Sequence, residues 1–132
     1  MTGFSPYLCK RLMDHWTGKA VYAPPGLYAG LSLTDPSIAI TEPAGGGYSR
    51  VSVPAASLGS ASLAVPSAIL NSASVTFPVP SAGWGSVGYW FVCDAATGGN
   101  LLFSSPLDEP VEIPSGASVA FAPGEFAMTL GG

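Results

Sequence analysis

The sequence predicts an all-β protein, a β-sandwich or jelly-roll-like fold that follows one short N-terminal helix. Glycine (17 residues) and proline (13 residues) lie between short apolar runs rather than in tracts, which is typical of turns that join short strands. These runs give about eight or nine strands at spacings of roughly 8–12 residues, as in β-sandwiches and barrels. Because 132 residues suffice for one core, we expect a single domain over residues 1–132, with a helix near 5–17 and strands within 26–130.

The helix is predicted by signals at both of its ends. Ser5 is a good N-cap residue, Pro6 suits the first helical position, and Gly18 can end the helix. Around and between these signals an apolar residue recurs at every fourth position, namely Phe4, Leu8, Leu12 and Trp16. Such a stripe is expected to pack on a sheet or, alternatively, to dock on a neighbouring subunit.

The strands are predicted from apolar runs between turn signals. Residues 87–93 form the most apolar run and are expected to be a central strand, followed by a hairpin connection at 94–100. Pro78 places its strand at an edge or a bulge. No strand is predicted between Ala55 and Asn71, where the pattern is weak. The other strands are expected near 26–33, 48–53, 74–79, 101–103, 111–113, 117–122 and 125–130.

Three consecutive glycines, Gly45, Gly46 and Gly47, predict a flexible loop because they leave the backbone unconstrained. The loop is not a phosphate-binding loop, since the lysine and the following helix of that motif are missing. Beyond it the residues alternate, so Tyr48 and Arg50 are expected on one face of a strand.

The middle of the chain lacks charge, because residues 51–93 contain no Asp, Glu, Lys or Arg. Charged residues are 9% of the whole chain, whereas a typical soluble surface carries roughly 25–35%. A monomer with such a surface would be poorly soluble, so we expect other protein to cover much of it. The composition therefore favours an assembly subunit over an enzyme.

Composition and charge disfavour several other classes of protein. The net charge is −4 and all four basic residues lie at or before position 50, which argues against a nucleic-acid partner. No apolar run approaches the length of about 20 residues that crosses a bilayer, and the N-terminus lacks the apolar region of a signal peptide. We therefore expect a cytoplasmic product without a membrane partner, with Cys9 and Cys93 as reduced core residues.

Candidate catalytic residues are few. His15 could act as a general base, but no motif marks a serine or cysteine partner, and an exposed or capping role on the helix is the simpler interpretation. Cys93 could be a nucleophile only beside a histidine that lowers its pKa, and a small core residue is preferred. Two cysteines and one histidine do not support a zinc site, and we expect no cofactor.

The acidic group Asp108, Glu109 and Glu112 could bind calcium through its oxygens. It lacks the spacing of a calcium loop and is interrupted by Pro110, so solvated loop charges are the simpler interpretation. These acids lie late in the chain, whereas the basic residues lie early, so the two groups could face each other across a contact between subunits. Pairing within one chain explains this distribution of charge equally well. The basic residues are Lys10, Arg11, Lys19 and Arg50.

Trp84, Tyr89 and Trp90 could together form a platform that stacks on a sugar, as in a carbohydrate-binding module. In residues 89–91 neighbouring rings point to opposite faces of the strand, so at least one large ring is expected to face away from the core. We expect a partner to cover that ring, given its uncharged surroundings, and the alternative is that it is available to a ligand.

Several stretches of the chain together carry a resemblance. The most specific are Gly45-Gly46-Gly47-Tyr48-x-Arg50 and the run Asp94-Ala95-Ala96-Thr97-Gly98-Gly99-Asn100-Leu101-Leu102; the others are residues 12–16, 22–32, 41–43, 75–78 and 84–85. They resemble a family of small virion proteins of tailed bacteriophages, often labelled tail-fibre-like or hypothetical structural proteins. The resemblance covers nearly the whole chain, and it implies that these stretches are structural turns.

The resemblance implies a non-enzymatic virion structural protein that is assembled in the host cytoplasm. Small β-sandwich phage proteins serve as capsid decoration, or cement, proteins, and others lie at tails or fibres. We expect a decoration protein that stabilises the head by bridging capsid subunits, because a fibre shaft would show repeats or a coiled coil. A tail, baseplate or fibre-attachment subunit is the alternative, followed by the carbohydrate-binding module.

The expected partners are the major capsid protein or other virion proteins, together with further copies of this chain. We expect a trimer, with a dimer as the alternative. Such a subunit would act by burying apolar surface at its contacts. The residues expected to contact partners are Lys10, Arg11, Trp16, Gly45, Gly46, Gly47, Tyr48, Trp84 and Trp90.

Overall fold

The chain forms nine β-strands and one α-helix in the computed structural model, which describes residues 3–23 and 25–130. The all-β class with a short N-terminal helix is therefore confirmed. Within the described ranges, no helix has the length and apolar character needed to span a bilayer. The elements are β1 (Gly3–Phe4), α1 (Pro6–Trp16), β2 (Tyr28–Ser32), β3 (Val51–Ser52), a 3₁₀ turn (Ala55–Ser57), β4 (Ser67–Leu70), β5 (Val75–Thr76), β6 (Gly85–Cys93), β7 (Leu101–Ile113), β8 (Ala120–Phe121) and β9 (Ala127–Leu130).

The strands pair into one five-stranded sheet and two small sheets. The large sheet has the order β1-β7-β6-β2-β3, and the small ones pair β4 with β9 and β5 with β8. β6 is third of five, which confirms the predicted central strand, and residues 94–100 connect it to its antiparallel neighbour β7. The arrangement is β-sandwich-like, while a jelly-roll topology stays a prediction.

The core lies between the large sheet and the two small ones. The Trp90 ring of β6 has its centroid 4.4 Å from that of Phe126 and 5.8 Å from that of Phe121 in β8. Val75 of β5 and Met128 of β9 belong to the same buried cluster. Apolar side chains from all three sheets therefore leave water together, which is the main favourable contribution to folding.

The second face of β6 is buried as well. Phe91 points away from Trp90 because strand residues alternate, yet its side chain is 0% exposed. Gly30 of β2 is its partner in the register, and a β-carbon at Gly30 would overlap the Phe91 ring. The guanidinium carbon of Arg50 lies 5.2 Å from the ring centroid. Of the two rings on this face, Phe91 is thus covered by the chain itself, while Tyr89 is half-buried.

The helix begins and ends where the sequence predicts. The Ser5 hydroxyl accepts a hydrogen bond from the Leu8 amide at 3.1 Å, and Pro6 occupies the first helical position. Gly18, just beyond the end of the helix, has a φ of 82°. This left-handed conformation is the usual one after a helix and favours glycine.

The apolar stripe of the helix is covered at one end only. Leu8 packs against the core, and Phe4 lies in β1, where its ring meets Phe103 edge-on at a centroid distance of 5.6 Å. Trp16 at the other end is 72% exposed. The prediction that the stripe packs on the sheet is therefore wrong at Trp16, whose ring lies in solvent.

The sequence missed β4, which pairs with β9 through four residues. The residues of β4, Ser67-Ala68-Ile69-Leu70, carry no alternation of polar and apolar side chains. Their strand conformation depends on a partner 57 to 63 positions along the chain, since Ser67 pairs with Leu130 and Leu70 with Ala127, so local pattern gives no signal.

Two strands predicted separately, 101–103 and 111–113, belong to the single long strand β7. Its pairing with β6 is interrupted, since the register passes from Val87 opposite Val111 directly to Tyr89 opposite Pro106. Residues 107–110 therefore bulge from the sheet opposite one residue of β6, and a bulge of this kind redirects the side chains that it carries.

Replacing Gly30 by alanine is expected to lower the free energy of unfolding by about 1–3 kcal/mol, because the methyl group would overlap a buried ring. Urea unfolding followed by tryptophan fluorescence measures the change. Gly88→Ala in β6 is the matched control: its φ is not positive and an added β-carbon meets no atom within 4 Å, so we expect a change below about 0.5 kcal/mol. Equal stabilities of the two variants would contradict tight packing of Phe91.

Candidate functional site

The predicted contact residues occupy three places in the fold. The glycines at 45–47 and Tyr48 lie in the connection between β2 and β3, and Trp84 lies beside them just before β6. Trp90 lies in the core. The remaining three, Lys10, Arg11 and Trp16, belong to α1.

An ion pair between Glu42 and Arg50 closes the connection between β2 and β3. The Arg50 Nε and Nη2 atoms donate to the two carboxylate oxygens of Glu42 at 2.9 and 3.2 Å. The Tyr48 hydroxyl donates to Glu42 Oε1 at 2.7 Å and accepts from the Leu31 amide at 3.0 Å. Because the Arg50 side chain is only 5% exposed, its charge requires these partners.

Arg50 also binds the hairpin between β6 and β7. Its Nη1 atom donates to the carbonyl oxygens of Ala95 and Gly98, both at 2.8 Å. The hairpin is shaped by Asp94, whose Oδ1 accepts the Asn100 amide at 2.7 Å and whose Oδ2 accepts the Asn100 side chain at 3.1 Å. The two stretches that carry the resemblance most specifically are therefore joined by one arginine.

The glycine loop is held in one conformation, which corrects the prediction of a flexible loop. All three glycines at 45–47 have positive φ, at 72°, 62° and 77°. The Trp84 indole donates to the Gly46 carbonyl at 3.0 Å, and a β-carbon on Gly46 would lie 2.8 Å from the Ala82 oxygen. Tyr48 packs edge-on against Trp84 at 5.2 Å. Gly46 therefore permits a close backbone approach, and the positive φ of all three positions favours glycine.

Burial and mutual contacts keep Tyr48 and Arg50, the partners of Glu42, in one protonation state each. Burial raises the pKa of Tyr48, and the neighbouring Glu42 raises it further. Burial would lower the pKa of Arg50, but the hydrogen bond to Glu42 and the charge interactions with neighbouring acidic groups together outweigh burial, and the net pKa is raised. Around neutral pH the phenol thus keeps its proton and the guanidinium its charge, so neither group is suited to proton transfer.

Trp84 and Trp90 are 3% and 5% exposed and belong to the subunit's own core. The Trp84 indole is therefore not presented to a partner or a sugar, and Trp90 reaches the surface only as part of the lining of a groove beside β7, which corrects the interpretation of both as exposed contact residues. Alternation along a strand predicts which side chains share a face, but not what covers each face. Tyr89 is half-buried, and the three rings do not form a stacking platform.

The helix presents an exposed surface that is both apolar and basic. Trp16 and Met13 are 72% and 56% exposed, and the Trp16 indole nitrogen lies 3.3 Å from the Met13 sulfur. Lys10 forms an exposed ion pair with Asp14, and the backbone of Lys19 is bound to the Asp14 carbonyl at 2.8 Å. We call Lys10, Met13, Trp16 and Lys19 the helix surface.

Arg11 lies to the side of this surface and is only partly exposed. Its guanidinium carbon is 5.0 Å from the ring centroid of Tyr22 and 5.9 Å from that of Tyr7. The side chain is therefore engaged by two rings of its own subunit, and it is less suited to an external contact than the sequence suggests.

A groove runs beside the interrupted part of β7. One part encloses about 240 Å³ and the next about 430 Å³, and both are lined by Leu107, Ala120 and Phe121. Val87, Val111 and Val119 add apolar lining. Three acidic residues lie along it, Glu112 in the first part and Asp108 and Glu125 in the second. We call this feature the β7 groove. The sequence indicated the acids but not the groove, which depends on the long-range packing of β8 against the sheet.

The ion pairs found among residues 3–23 and 25–130 do not include these groove acids. Lys10 pairs with Asp14 and Arg50 with Glu42, both within the N-terminal part of the chain. The sequence offered two explanations for its charge distribution, and one was that early basic residues pair with late acids inside one chain. The ion pairs of Lys10 and Arg50 do not fit that explanation, because both are made with early acids. In the same described ranges, no cluster of three or more His, Cys, Asp or Glu is placed to hold a metal ion.

The positions of His15, Cys9 and Cys93 do not bring together a catalytic pair. His15 is exposed, and its Nδ1 accepts a hydrogen bond from the Tyr22 amide at 3.1 Å, which holds the segment after the helix against the last helical turn. Burial raises the pKa of the Cys93 thiol to about 11, the opposite of what a nucleophile requires. Cys9 is exposed on the helix, which corrects the prediction that both cysteines lie in the core.

Arg50→Ala is expected to lower the free energy of unfolding by about 3 kcal/mol, because it leaves Glu42 and two carbonyl oxygens without their partner. Lys10→Ala removes the ion pair with Asp14, but that lysine is 75% exposed, so the expected loss is below about 0.5 kcal/mol. Chemical unfolding of both variants provides the comparison. Similar losses for the two would mean that Arg50 does not hold the loops together.

Stability is expected to fall between about pH 9 and pH 11 because of Cys93. The unfolded thiol ionises near its ordinary pKa of 9.0 and the folded thiol only near 11, so the unfolded state binds fewer protons in this interval and gains stability as pH rises. The contribution of Cys93 to the free energy of unfolding should drop by about 2 kcal/mol across it, in addition to the loss that ionisation of Tyr48 in the unfolded state adds above its ordinary pKa of 10.0. In Cys93→Ala this component should vanish from the pH profile, and an unchanged slope would contradict the assignment.

A family model described as Podophage GP4 fiber I protein gp80 matches residues 3–129 of this chain. The match includes the five-stranded sheet, the glycine loop, the hairpin bound by Arg50 and the β7 groove. No curated protein matches the sequence significantly.

Proposed function

Because this chain belongs to the podophage fibre I protein family, a family of tailed-phage virion structural proteins, we propose that it is a non-enzymatic subunit of the tail fibres or of their attachment. The observation that carries this proposal is the match of the fibre family model over residues 3–129. Contacts with other virion proteins follow from membership in such a family.

The polar residues in the interior of the fold hold loops in place, which supports a structural role. Arg50, Glu42 and Tyr48 hold loops together and keep fixed protonation states around neutral pH. Of the residues with catalytic potential in the sequence, His15 binds the backbone amide of Tyr22 and Cys93 is buried. The described side chains are thus suited to maintaining a shape and not to a reaction.

Exposed apolar side chains in the uncharged segment support contact with other virion proteins. Leu63, Val65 and Val79 are 107%, 82% and 66% exposed, and residues 51–93 carry no charge that would keep them solvated. Isolated exposed apolar residues are ordinary. Together with a chain that is 9% charged, they favour a surface that is covered in the assembled particle.

Capsid decoration is the second candidate, because the same exposed apolar surface fits a joint between capsid subunits. The sequence argument for the head was the lack of repeats or a coiled coil. A globular subunit that attaches or extends a fibre needs neither feature, so the argument has little weight against the fibre.

Immunogold labelling of intact virions with an antibody to this chain, imaged by electron microscopy, tests the proposal. Gold confined to the tail end is the expected result. Gold spread over the head would replace the fibre proposal with capsid decoration. Mass spectrometry of the same virions is the control: if it detects the chain where no gold binds, the antibody has no access to it. Virions that lack the chain altogether would overturn both candidates.

A further inference from the structure

We propose that copies of this chain associate head to tail, with the helix surface of one copy seated in the β7 groove of the next. The inference rests on the proposed role as a virion subunit and deepens it by naming a partner, a second copy, and the two surfaces that meet. Both surfaces lie on the same chain, so assembly of this kind requires no other protein.

The helix surface has the features of an anchor. An indole that is 72% exposed lies at the end of an amphipathic helix, in contact with the half-exposed Met13. No residue of the helix is fully buried, and the apolar side chains of its second half, Met13 and Trp16, are largely unused by the chain itself. Tryptophan is the residue type most enriched among those that dominate interface energies, and helices that dock in grooves present such anchors at helical spacing.

The β7 groove has the matching apolar floor. Leu107 and Phe121 are half-buried and line both of its parts, and Val111 in its wall is 48% exposed. The part with the most apolar lining encloses about 240 Å³, a space suited to one large aromatic side chain. Covering both the indole and this floor would remove from water the largest exposed ring of the chain and the apolar surface around Phe121.

Charge decides which partner fits. The groove carries Asp108, Glu112 and Glu125, and none of the three takes part in an ion pair found among the described residues. The helix surface carries Lys10 and Lys19, with Asp14 paired to Lys10. Opposite charges around an apolar contact fix orientation and exclude wrong partners, so the acidic groove favours this lysine-bearing helix over another apolar surface of the chain.

The same region is poorly suited to a strand from a partner. Beyond its short contact with β1, the outer edge of β7 contains Pro106 and Pro110, which donate no backbone hydrogen bond, and the acidic pair Asp108 and Glu109. Prolines and charges are the devices by which proteins prevent strands from adding to an edge. A helix that docks by its side chains is not affected by these obstacles.

Because the two surfaces differ, the contact propagates from copy to copy. Such contacts close into a ring when the rotation between neighbours permits and otherwise extend into a chain. A threefold ring would correspond to the trimer expected from the sequence.

Sedimentation velocity of the purified full-length chain over a range of concentrations tests the inference. The wild type should associate, and Trp16→Ala should raise the dissociation constant about tenfold or more. Asp108→Lys with Glu112→Lys should weaken association to a similar extent by repelling the lysines. Ile38→Ala removes another apolar side chain, 86% exposed and outside both surfaces, and should associate like the wild type. Circular dichroism establishes that each variant is folded.

Mixing the two defective variants gives the sharpest result. The Trp16→Ala copy keeps an intact groove and the Asp108→Lys/Glu112→Lys copy keeps an intact helix surface, so the mixture should form one-to-one complexes that neither variant forms alone. A monomeric wild type, wild-type association by Trp16→Ala, or failure of the mixture to form these complexes would each overturn the inference. None of these outcomes affects the virion labelling, which reports position and does not depend on self-association.

Discussion

The buried guanidinium of Arg50 is the interaction on which the irregular half of this structure depends. A charge that is 5% exposed would strongly destabilise the fold without acceptors, and its acceptors come from distant segments. Glu42 provides the carboxylate, the hairpin after β6 provides two carbonyl oxygens, and the ring of Phe91 lies beneath. Each acceptor is itself positioned, Glu42 by the Tyr48 hydroxyl and the hairpin by Asp94. One side chain thus fixes two loops and covers the second face of the central strand.

The uncharged segment 51–93 has two uses, which explains why composition alone could not separate core from interface. It contributes Trp84 and Trp90 to the buried cluster, and these are covered by the chain itself. It also contributes Leu63 and Val65, which are almost fully exposed. The solubility argument from the sequence therefore applies to only part of the segment, and the part that faces solvent is a surface loop and not the aromatic strand.

Features set by neighbouring residues were predictable from the sequence, and features set by distant partners were not. The helix ends follow from Ser5, Pro6 and Gly18, whose conformational preferences act locally. β4 was missed because its partner is β9. The burial of Trp84 was missed because its environment is a glycine loop 38 residues away, bound through the Gly46 carbonyl. The role of Arg50 was missed for the same reason, since its carbonyl acceptors lie 45 and 48 residues along the chain.

The asymmetry of charge along the chain gains a physical meaning once the internal ion pairs are known. The sequence allowed the late acids to pair with the early basic residues inside one subunit or between subunits. Arg50 is engaged by Glu42 and Lys10 by Asp14, and Arg11 lies between two tyrosine rings, so the described pairs leave the groove acids unmatched. Charges are scarce in this chain, and three of them line an apolar groove. Even a weak contact at such a site becomes effective in a particle, because neighbouring copies are held at high effective concentration.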